Sequence, residues 1–390
     1  MRHGYGGGHH KQVRYLQVTT DDGAAPIWDQ AWDGATTDVA TVIATMHALC
    51  EPAHCTDFVL VGDSKLLSAA NRQAVPRAGV GYPAPVPRTP DLAAAFLAIP
   101  SEQLVALDSV SPREATQPPE EPTTYHGFAH PITVGAPTGD GGERGQELQR
   151  VFVVSSADRA ACRRNRARQR ERAEAERARI VGRVGSRWYP TAERAQAKIA
   201  AILEPRHLTG LYRVQWGEQD GRPTVRCELV GAALARAEAL DGHHVLETTR
   251  PAAAAAARAL LAEWNGQWQI EQRHRGAKGP LRIRPLCVTS NQRIVGSITI
   301  LGIALLVFSL TEREARRTPG AGVKRPGLLA GQVAARPTGE NLLKVLQESA
   351  LVQVVIAGAR HRRVAALSPL QQRVLALLHV PATVHARLTT

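Results

Sequence analysis

Two acidic side chains with basic neighbours stand out in the sequence. The first is Asp63, which follows the apolar run 58–62 (FVLVG) and precedes Ser64 and Lys65. If that run is a buried strand, Asp63 lies at its carboxyl end, where open α/β sheets bind their ligands. Ser64 and Lys65 would then be placed to contact phosphate. A plainer interpretation is that Asp63 only caps the following helix, and the residues alone leave both open.

The second acidic residue is Glu271, in the segment 264–278 (WNGQWQIEQRHRGAK). If the chain is helical from Gln267, spacings of four and seven residues place Gln267, Glu271 and Lys278 on one face, bordered by Trp264. A carboxylate among cations suits a metal ion beside a phosphate backbone, and the alternative is a structural ion-pair network. The nearby basic residues are Arg273, His274, Arg275 and Lys278.

The spacing of these residues resembles a motif of known enzymes. Trp264-x2-Gln267-x3-Glu271-x6-Lys278 is similar to the Tyr-x2-Arg-x3-Glu-x6-Lys motif of bacterial insertion-sequence transposases with DDE active sites. Glu271 and Lys278 match, whereas Trp264 replaces Tyr and Gln267 replaces Arg. Other stretches resemble the family in the same order, so the resemblance covers nearly the whole chain. They are 32–41 (WDGATTDVAT), 59–75 (VLVGDSKLLSAANRQAV), 244–249 (HVLETT) and 278–310.

The resemblance implies an RNase H-like catalytic fold that cleaves DNA and transfers strands with Mg²⁺ or Mn²⁺. In such chemistry, paired divalent ions held by oxygen ligands activate the attacking oxygen and stabilise the leaving oxygen. On this chain the catalytic carboxylates and metal ligands implied are Asp63 and Glu271. The DNA-contacting residues expected with them are Lys278, Gln267, Trp264, Arg275 and Lys65.

One carboxylate of the family pattern has no counterpart. The family's first catalytic Asp lies upstream of the segment that resembles 5–18, and no Asp precedes Asp21 in this sequence. We therefore expect a copy truncated at its N-terminus, which binds DNA but cleaves it weakly or not at all. The alternative is a non-catalytic DNA-binding or regulatory remnant of a transposable element. The implied partners are double-stranded transposon ends and target DNA, with a homodimer forming on the DNA.

The elements that must position these residues read as alternating strands and helices. The predicted fold class is α/β, an RNase H-like mixed sheet flanked by helices, with a large insertion of strands, loops and a charged helix between Asp63 and the Glu271 helix. The Pro- and Gly-rich stretch 81–145 reads as long loops or inserted sequence. Predicted strands are 13–20, 26–32, 58–62, 151–154, 211–216, 224–229 and 244–248, and predicted helices are 37–49, 157–180, 249–261 and one resuming at Gln267.

These predictions divide the chain into four segments. Residues 1–90 form the first part of the catalytic domain without its first strand, and 91–243 form the insertion. Residues 244–316 form the second part, with the Glu271 helix and a buried apolar helix. Residues 317–390 form a linker and a small C-terminal segment.

The charge of the chain favours a polyanionic partner. Its 390 residues have a formal net charge of +13, as expected of a nucleic-acid-binding protein, although a basic protein without such a partner remains the alternative. Helix 157–180 is either a solvated helix with Arg170–Glu174 and Arg172–Glu176 pairs, or a helix that contacts phosphates.

The prediction of the cellular location depends mainly on one apolar run. The uncharged run 294–310 is at the short edge for a membrane span, and a helix buried under a sheet is the preferred interpretation over a span. The five cysteines form no Cys-x2-Cys pair, and the Gly- and His-rich N-terminus has no apolar leader. We therefore expect a cytoplasmic, nucleoid-associated bacterial protein that does not bind membranes.

Overall fold

Strands and helices alternate along the chain in the computed structural model. Thirteen strands and eleven helices are found among the described residues. Those residues are 12–53, 56–110, 121–134, 146–250, 254–279, 288, 290–317, 325–326, 334–335, 337–347, 351–356, 359–381 and 383–384.

The elements are numbered in chain order. The strands are β1 (Val13–Thr19), β2 (Pro26–Asp33), β3 (Pro83–Pro85), β4 (Val105–Leu107), β5 (Tyr125–Val134), β6 (Gln146–Ser155), β7 (Tyr212–Gln219), β8 (Arg222–Leu229), β9 (His243–Thr248), β10 (Arg325–Pro326), β11 (Ala334–Ala335), β12 (Leu351–Ile356) and β13 (Ala359–Val364). The helices are α1 (Asp38–Ala53), α2 (Ala69–Arg77), α3 (Pro90–Leu97), α4 (Ser156–Val181), α5 (Ala192–Leu203), α6 (Gly231–Ala239), α7 (Ala254–Asn265), α8 (Trp268–Lys278), α9 (Asn291–Arg317), α10 (Gly339–Leu346) and α11 (Pro369–Leu377). Short 3-10 helices lie at Ser64–Leu67, Ser101–Gln103, Glu204–Arg206 and Thr209–Leu211.

The described residues form two units. Unit 1 takes its residues from 12–56 and from 263 onward, and unit 2 takes its residues from 57–110 and from 121–262. The four predicted segments, which end after residues 90, 243 and 316, do not have the same limits as these two units. The four segments stay a prediction about functional modules.

Unit 2 is built around a five-stranded sheet with the order β3-β9-β6-β5-β4. Alternate residues of β6, Phe152 and Val154, face the same side and pack with Leu92 and Phe96 of α3. The α/β class, an antiparallel sheet flanked by helices, is thus confirmed at this level.

The predicted mixture of strand directions is not found among the described strands. All neighbouring strands in the five-stranded sheet are antiparallel. Parallel pairing among the described residues is limited to isolated bridges outside the named strands, at Val59–Gly81 and Val184–Tyr189. The reason lies in the pairing of consecutive strands, because β5 pairs with β6 from Tyr125–Ser155 to Val134–Gln146. Strands that follow each other this closely pair antiparallel, whereas parallel neighbours need a long crossover.

The prediction of a regular buried strand at 58–62 is wrong. Val59 forms an isolated parallel bridge to Gly81. The segment pairs through three backbone hydrogen bonds, from Leu60 N to Gly81 O at 2.8 Å, from Gly81 N to Phe58 O at 3.1 Å and from Gly62 N to Pro83 O at 3.4 Å, which is too short a ladder for a regular strand. Val61 is 36% exposed, so the segment is not buried on both faces. A physical reason is the composition of β3, which continues from Gly81 and contains two prolines. Proline has no N–H to donate to a strand ladder.

The stretch 81–145 holds regular elements where the sequence suggested loops. Its described part contains β3, α3, β4 and β5. Pro90 stands in the first turn of α3, and the Thr89 hydroxyl accepts a hydrogen bond from Leu92 N at 3.2 Å. Proline at this position starts a helix, so the same residue that indicated a loop marks a helix boundary.

Helix α4 and its neighbours form a second core within unit 2. Ala173 and Ile180 of α4 pack with Ile199 of α5 and with Val225 and Cys227 of β8. The β7–β8 hairpin turns at Asp220-Gly221, and the φ angles of +53° and +72° there require residues that tolerate the left-handed region.

The ion pairs predicted along α4 are not the ones observed. Glu174 pairs with Arg177, and Glu176 pairs with Arg206, which lies in a neighbouring 3-10 helix. Sequence spacing gives several possible partners for each glutamate, and tertiary packing decides among them.

Unit 1 contains the β1–β2 hairpin, which packs against α9. The closest approach is at Gly302, where an added Cβ would lie 2.7 Å from Asp29 Cγ of β2. At the end of α9, Ala315 packs with Leu342 and Val345 of α10 and with Val374 of α11. The C-terminal helices are therefore part of this unit.

Helix α9 contains the run 294–310 and is, among the described residues, the one helix long and apolar enough to cross a membrane. Such a helix is weak evidence for a membrane protein, because core helices pass the same test. Ile294, Ile298 and Leu305 are buried, whereas Ile300 and Val307 are 69% and 60% exposed. The predicted burial is therefore correct for one face, since the two-stranded hairpin covers only that side.

Candidate active site

Asp63 is exposed and precedes the 3-10 helix Ser64–Leu67. Its Oδ1 accepts a hydrogen bond from Lys65 N at 2.8 Å, so the capping interpretation is confirmed. Capping uses one carboxylate oxygen, and Oδ2 makes no hydrogen bond within the described part of the chain. Asp63 thus caps the helix and still has an oxygen open to a ligand.

The neighbours of Asp63 face solvent and a cleft. The Lys65 side chain is exposed, as a phosphate-contacting residue must be. Ser64 lines a cleft of about 630 Å³ within unit 2, together with His130, Arg72 and Arg150.

Glu271 lies in the first turn of α8 and is exposed, as are Arg275 and Lys278. With 3.6 residues per turn, these three positions fall within about 60° of the helix circumference. The structure therefore brings Glu271 and Lys278 to one face, as the spacing predicted, and adds Arg275 to it. This face combines one carboxylate with two cations.

Gln267 and Trp264 stand at the break between α7 and α8. Gln267 is the N-cap residue of α8 with helical angles of −58° and −27°, and Glu271 N lies 3.4 Å from Gln267 O. Gln267 therefore continues the Glu271 face by one turn. Trp264 belongs to α7, before the predicted break at Asn265-Gly266, so helical spacing no longer fixes its place on that face. Both side chains are half-buried.

Arg273 lies on the opposite side of α8 and is buried. Its Nη1 donates to Glu312 Oε2 of α9 at 3.0 Å, and its Nη2 and Nε donate to the carbonyls of Gly23 and Ala24 at 2.7 and 3.1 Å. These bonds connect α8 with α9 and with the turn of the β1–β2 hairpin. Arg273, one of the basic residues near Glu271 in the sequence, is therefore used internally and does not belong to the exposed face.

His274 contributes little positive charge beside Glu271. Burial lowers the pKa of His274, and the charge of Lys278 lowers it further. Its ring contacts the edge of Tyr15, with centroids 6.1 Å apart. Burial likewise raises the pKa of Tyr15 and of Asp29 on the adjacent hairpin. The positive charge on the Glu271 face thus comes from Arg275 and Lys278.

The two predicted metal ligands offer suitable donors. Carboxylate oxygens are the ligands that Mg²⁺ prefers, and both Asp63 and Glu271 are exposed. Within the described ranges, however, no three or more His, Cys, Asp and Glu side chains come together as a metal-binding group. Asp63 belongs to unit 2 and Glu271 to unit 1, so their convergence on shared cations stays a prediction.

One cluster of charged residues escaped the sequence reasoning. Glu247 of β9 has no exposed surface, and its carboxylate accepts from Arg72 Nη2 at 3.0 Å, from Tyr82 Oη at 3.1 Å and from Arg150 at 3.4 Å. Arg72 and Arg150 also line the cleft that contains Ser64. The signal in the sequence was an acid in the otherwise apolar stretch 245–248, a position where a charge is stable only with partners.

Comparison with known proteins gives no further assignment. No protein-family model matches the chain, and no curated protein sequence matches it.

Proposed function

We propose that the protein is a DDE-type transposase, which binds double-stranded DNA and has at most weak activity in metal-dependent cleavage and strand transfer. The observation that carries this proposal is the exposed face of α8. Glu271, Arg275 and Lys278 project from it together, while Arg273 is turned inward. Exposed charges are ordinary on a helix surface, and what supports the proposal is that one carboxylate and two cations share a single face.

The residues have separate roles in this proposal. Asp63 and Glu271 bind divalent cations through carboxylate oxygens, and bound Mg²⁺ or Mn²⁺ would supply activation of the attacking oxygen and stabilisation of the leaving oxygen. Lys278 and Arg275 bind backbone phosphates beside the reacting bond, because charge-assisted hydrogen bonds to phosphate are stronger than neutral ones. Lys65 does the same beside Asp63. Gln267 and Trp264 position the DNA or support α8.

The partner is double-stranded DNA, both transposon ends and target. A net charge of +13 supports this choice, since cation–phosphate contacts dominate non-specific affinity for nucleic acid. A homodimer assembled on the DNA and a cytoplasmic, nucleoid-associated location belong to the same proposal.

A second candidate is a DNA-binding protein without catalytic activity. The absence of a three-ligand metal group from the described part of the chain favours it. It shares the DNA partner with the first candidate and differs in predicting no cleavage.

The first prediction tests Asp63 and Glu271 with Asp63→Asn and Glu271→Gln, which keep side-chain shape and remove charge. We expect each variant to nick supercoiled plasmid roughly 100-fold or more slowly in Mg²⁺, because a bound ion contributes several kcal/mol to the transition state. Matched controls are Asp57→Asn and Glu340→Gln, which remove a charge from another exposed position in each unit. The measurements are the nicking rate, Mn²⁺ affinity by calorimetry and duplex affinity by fluorescence anisotropy.

The outcomes separate the two candidates. Nicking that both site variants lose and both controls keep supports the transposase. DNA binding without nicking, in the unaltered chain as well, supports the non-catalytic candidate. If Mn²⁺ binding is unchanged in both site variants, Asp63 and Glu271 are not the metal ligands.

A further inference from the structure

Helix α4 carries a row of arginines on its exposed face. Arg164, Arg168, Arg172 and Arg179 are all exposed, and spacings of four, four and seven residues separate them. With 3.6 residues per turn and 1.5 Å per residue, they lie within about 80° of the circumference and along about 22 Å of the helix. We refer to these four residues as the arginine row.

Two arginines on the inward side of α4, Arg166 and Arg177, have structural partners. Arg166 Nη1 donates to Asp241 Oδ2 at 2.9 Å, and Arg177 pairs with Glu174 and donates to the Cys227 carbonyl. These contacts lie on the side where Ala173 and Ile180 enter the core. Packing thus orients α4 and leaves the arginine row in solvent.

The arginine row itself has almost no partners. Within the described part of the chain none of its members forms an ion pair, and Arg168 alone makes a side-chain hydrogen bond, to Asn165 Oδ1 at 3.2 Å. Like charges four residues apart destabilise a helix. The row therefore costs α4 a little stability that no ion pair with another described residue offsets.

The rest of this face is small and polar. The exposed residues between the arginines include Ala161, Ala175 and Ala178, and Glu171 is the acidic side chain beside the row. No large apolar side chain of α4 is exposed there. Protein partners bind chiefly through buried aromatic and apolar anchors, which this face does not offer. A polyanion instead needs guanidinium groups with room for close approach.

We propose that the arginine row docks the phosphate backbone of double-stranded DNA, without reading the bases. The choice of DNA as the polyanion rests on the proposed function, and the location on α4 rests on the geometry above. Arginines aligned along one helix face can bind consecutive phosphates and release their counterions. This surface belongs to unit 2, and the Glu271 face of α8 belongs to unit 1.

The second prediction tests the row by changing Arg164, Arg168, Arg172 and Arg179 to Gln together in the full chain. Anisotropy of a labelled random-sequence duplex is measured with EDTA present, over a range of salt concentrations, so that cleavage does not contribute. The slope of log K against log salt is negative, and removing one phosphate-binding arginine should reduce its magnitude by about 0.9. We therefore expect the magnitude to fall by up to about 3.6 when all four are changed. At fixed salt the affinity should fall at least tenfold. Changing the same four residues to Lys keeps the charge and should leave the slope nearly unchanged.

The matched control removes four charges from other exposed positions of unit 2. Its substitutions are Arg194→Gln, Lys198→Gln, Arg213→Gln and Arg226→Gln. An equal decrease in slope in the control and the row variant would overturn the proposal, because net charge and not position would then decide binding. If the fourfold variant does not fold, the pairs Arg164→Gln with Arg168→Gln and Arg172→Gln with Arg179→Gln should each show about half the slope change.

The remaining outcomes distinguish this inference from the function it rests on. A row variant that binds duplex like the unaltered chain overturns the inference and leaves the transposase proposal standing. A chain that binds no duplex in any form overturns both. Binding to phosphatidylserine vesicles that depends on the row, with duplex binding independent of it, overturns the inference in favour of a membrane surface.

Discussion

Glu247 illustrates how much can depend on one carboxylate. It has no exposed surface, and it holds two arginines whose side chains are 20% and 29% exposed at the edge of the cleft. A buried charge is tolerated only when it is paired and hydrogen-bonded. Here the pairing also keeps Arg72 and Arg150 side by side, where they would otherwise repel each other.

The third prediction is that Glu247→Gln strongly destabilises unit 2. The amide cannot balance two guanidinium groups, and breaking a buried ion pair costs about 3–5 kcal/mol. Urea unfolding, followed by circular dichroism, measures the change in the free energy of unfolding. The control Glu228→Gln, at an exposed position of β8, should change it by less than about 0.5 kcal/mol. Equal midpoints for the two variants would show that the Glu247 cluster does not stabilise the sheet.

At the scale of single residues, the sequence predicts the helix face of a charged residue where local spacing alone determines it. Helical spacing alone placed Glu271 and Lys278 on a common face. It could not separate Arg273 from Arg275, because the partner that buries Arg273 is Glu312, 39 positions away. It missed Glu247 for the same reason, since Arg150 is 97 positions away in the chain. Long-range partners decide which charges are turned inward.

Among the elements, α9 contains two glycines that differ in their effect on packing. Gly302 meets Asp29 of β2, and an added methyl group would lie 2.7 Å from Asp29 Cγ. Gly296, on the same helix, has nothing within 4 Å of an added Cβ. One glycine permits close packing of the helix on the hairpin, and the other only weakens the helix.

The fourth prediction compares these two glycines. Gly302→Ala should destabilise the protein by roughly 1–3 kcal/mol, because the helix or Asp29 must move to admit the methyl group. Gly296→Ala should instead stabilise it by about 0.5–1 kcal/mol, the usual gain of alanine over glycine in a helix. Thermal unfolding of both variants measures this, and a stabilising Gly302→Ala would show that the hairpin does not contact α9 there.

Many elements, but not their arrangement, could be predicted from sequence. The β1–β2 and β7–β8 hairpins, α4, β9 and the break before α8 follow from local periodicity and turn residues, which act over a few positions. Strand order is different, since β9 pairs with β6 and β3 from distant parts of the chain. The segment 58–62 is apolar enough for a strand, yet the prolines of its neighbour limit pairing. The run therefore pairs over a few residues only and is partly exposed, so the predicted regular buried strand does not form.

For the whole molecule, the order of the units along the chain matters. The described residues of unit 2 all lie between positions 57 and 262, whereas unit 1 needs residues from both sides of that range. The sheet and both cores of unit 2 are made by residues of that stretch. The β1–β2 hairpin of unit 1 instead packs on α9, which follows more than two hundred residues later.

The fifth prediction is that a fragment spanning 57–262 folds by itself. The described sheet and the described core clusters of unit 2 are formed by residues of this stretch, so the fragment should show a cooperative urea transition and dispersed amide signals in NMR. A fragment starting at 263 lacks the hairpin that covers α9 and should show neither. A non-cooperative 57–262 fragment would mean that unit 2 requires unit 1 to fold.

This discontinuity also has a consequence during protein synthesis. The hairpin emerges from the ribosome early and acquires its partner only when α9 has been translated. At bacterial and eukaryotic elongation rates the delay is roughly ten to fifty seconds. Throughout that interval α9 does not yet cover its face of the hairpin, and chaperones can bind this face of the nascent chain.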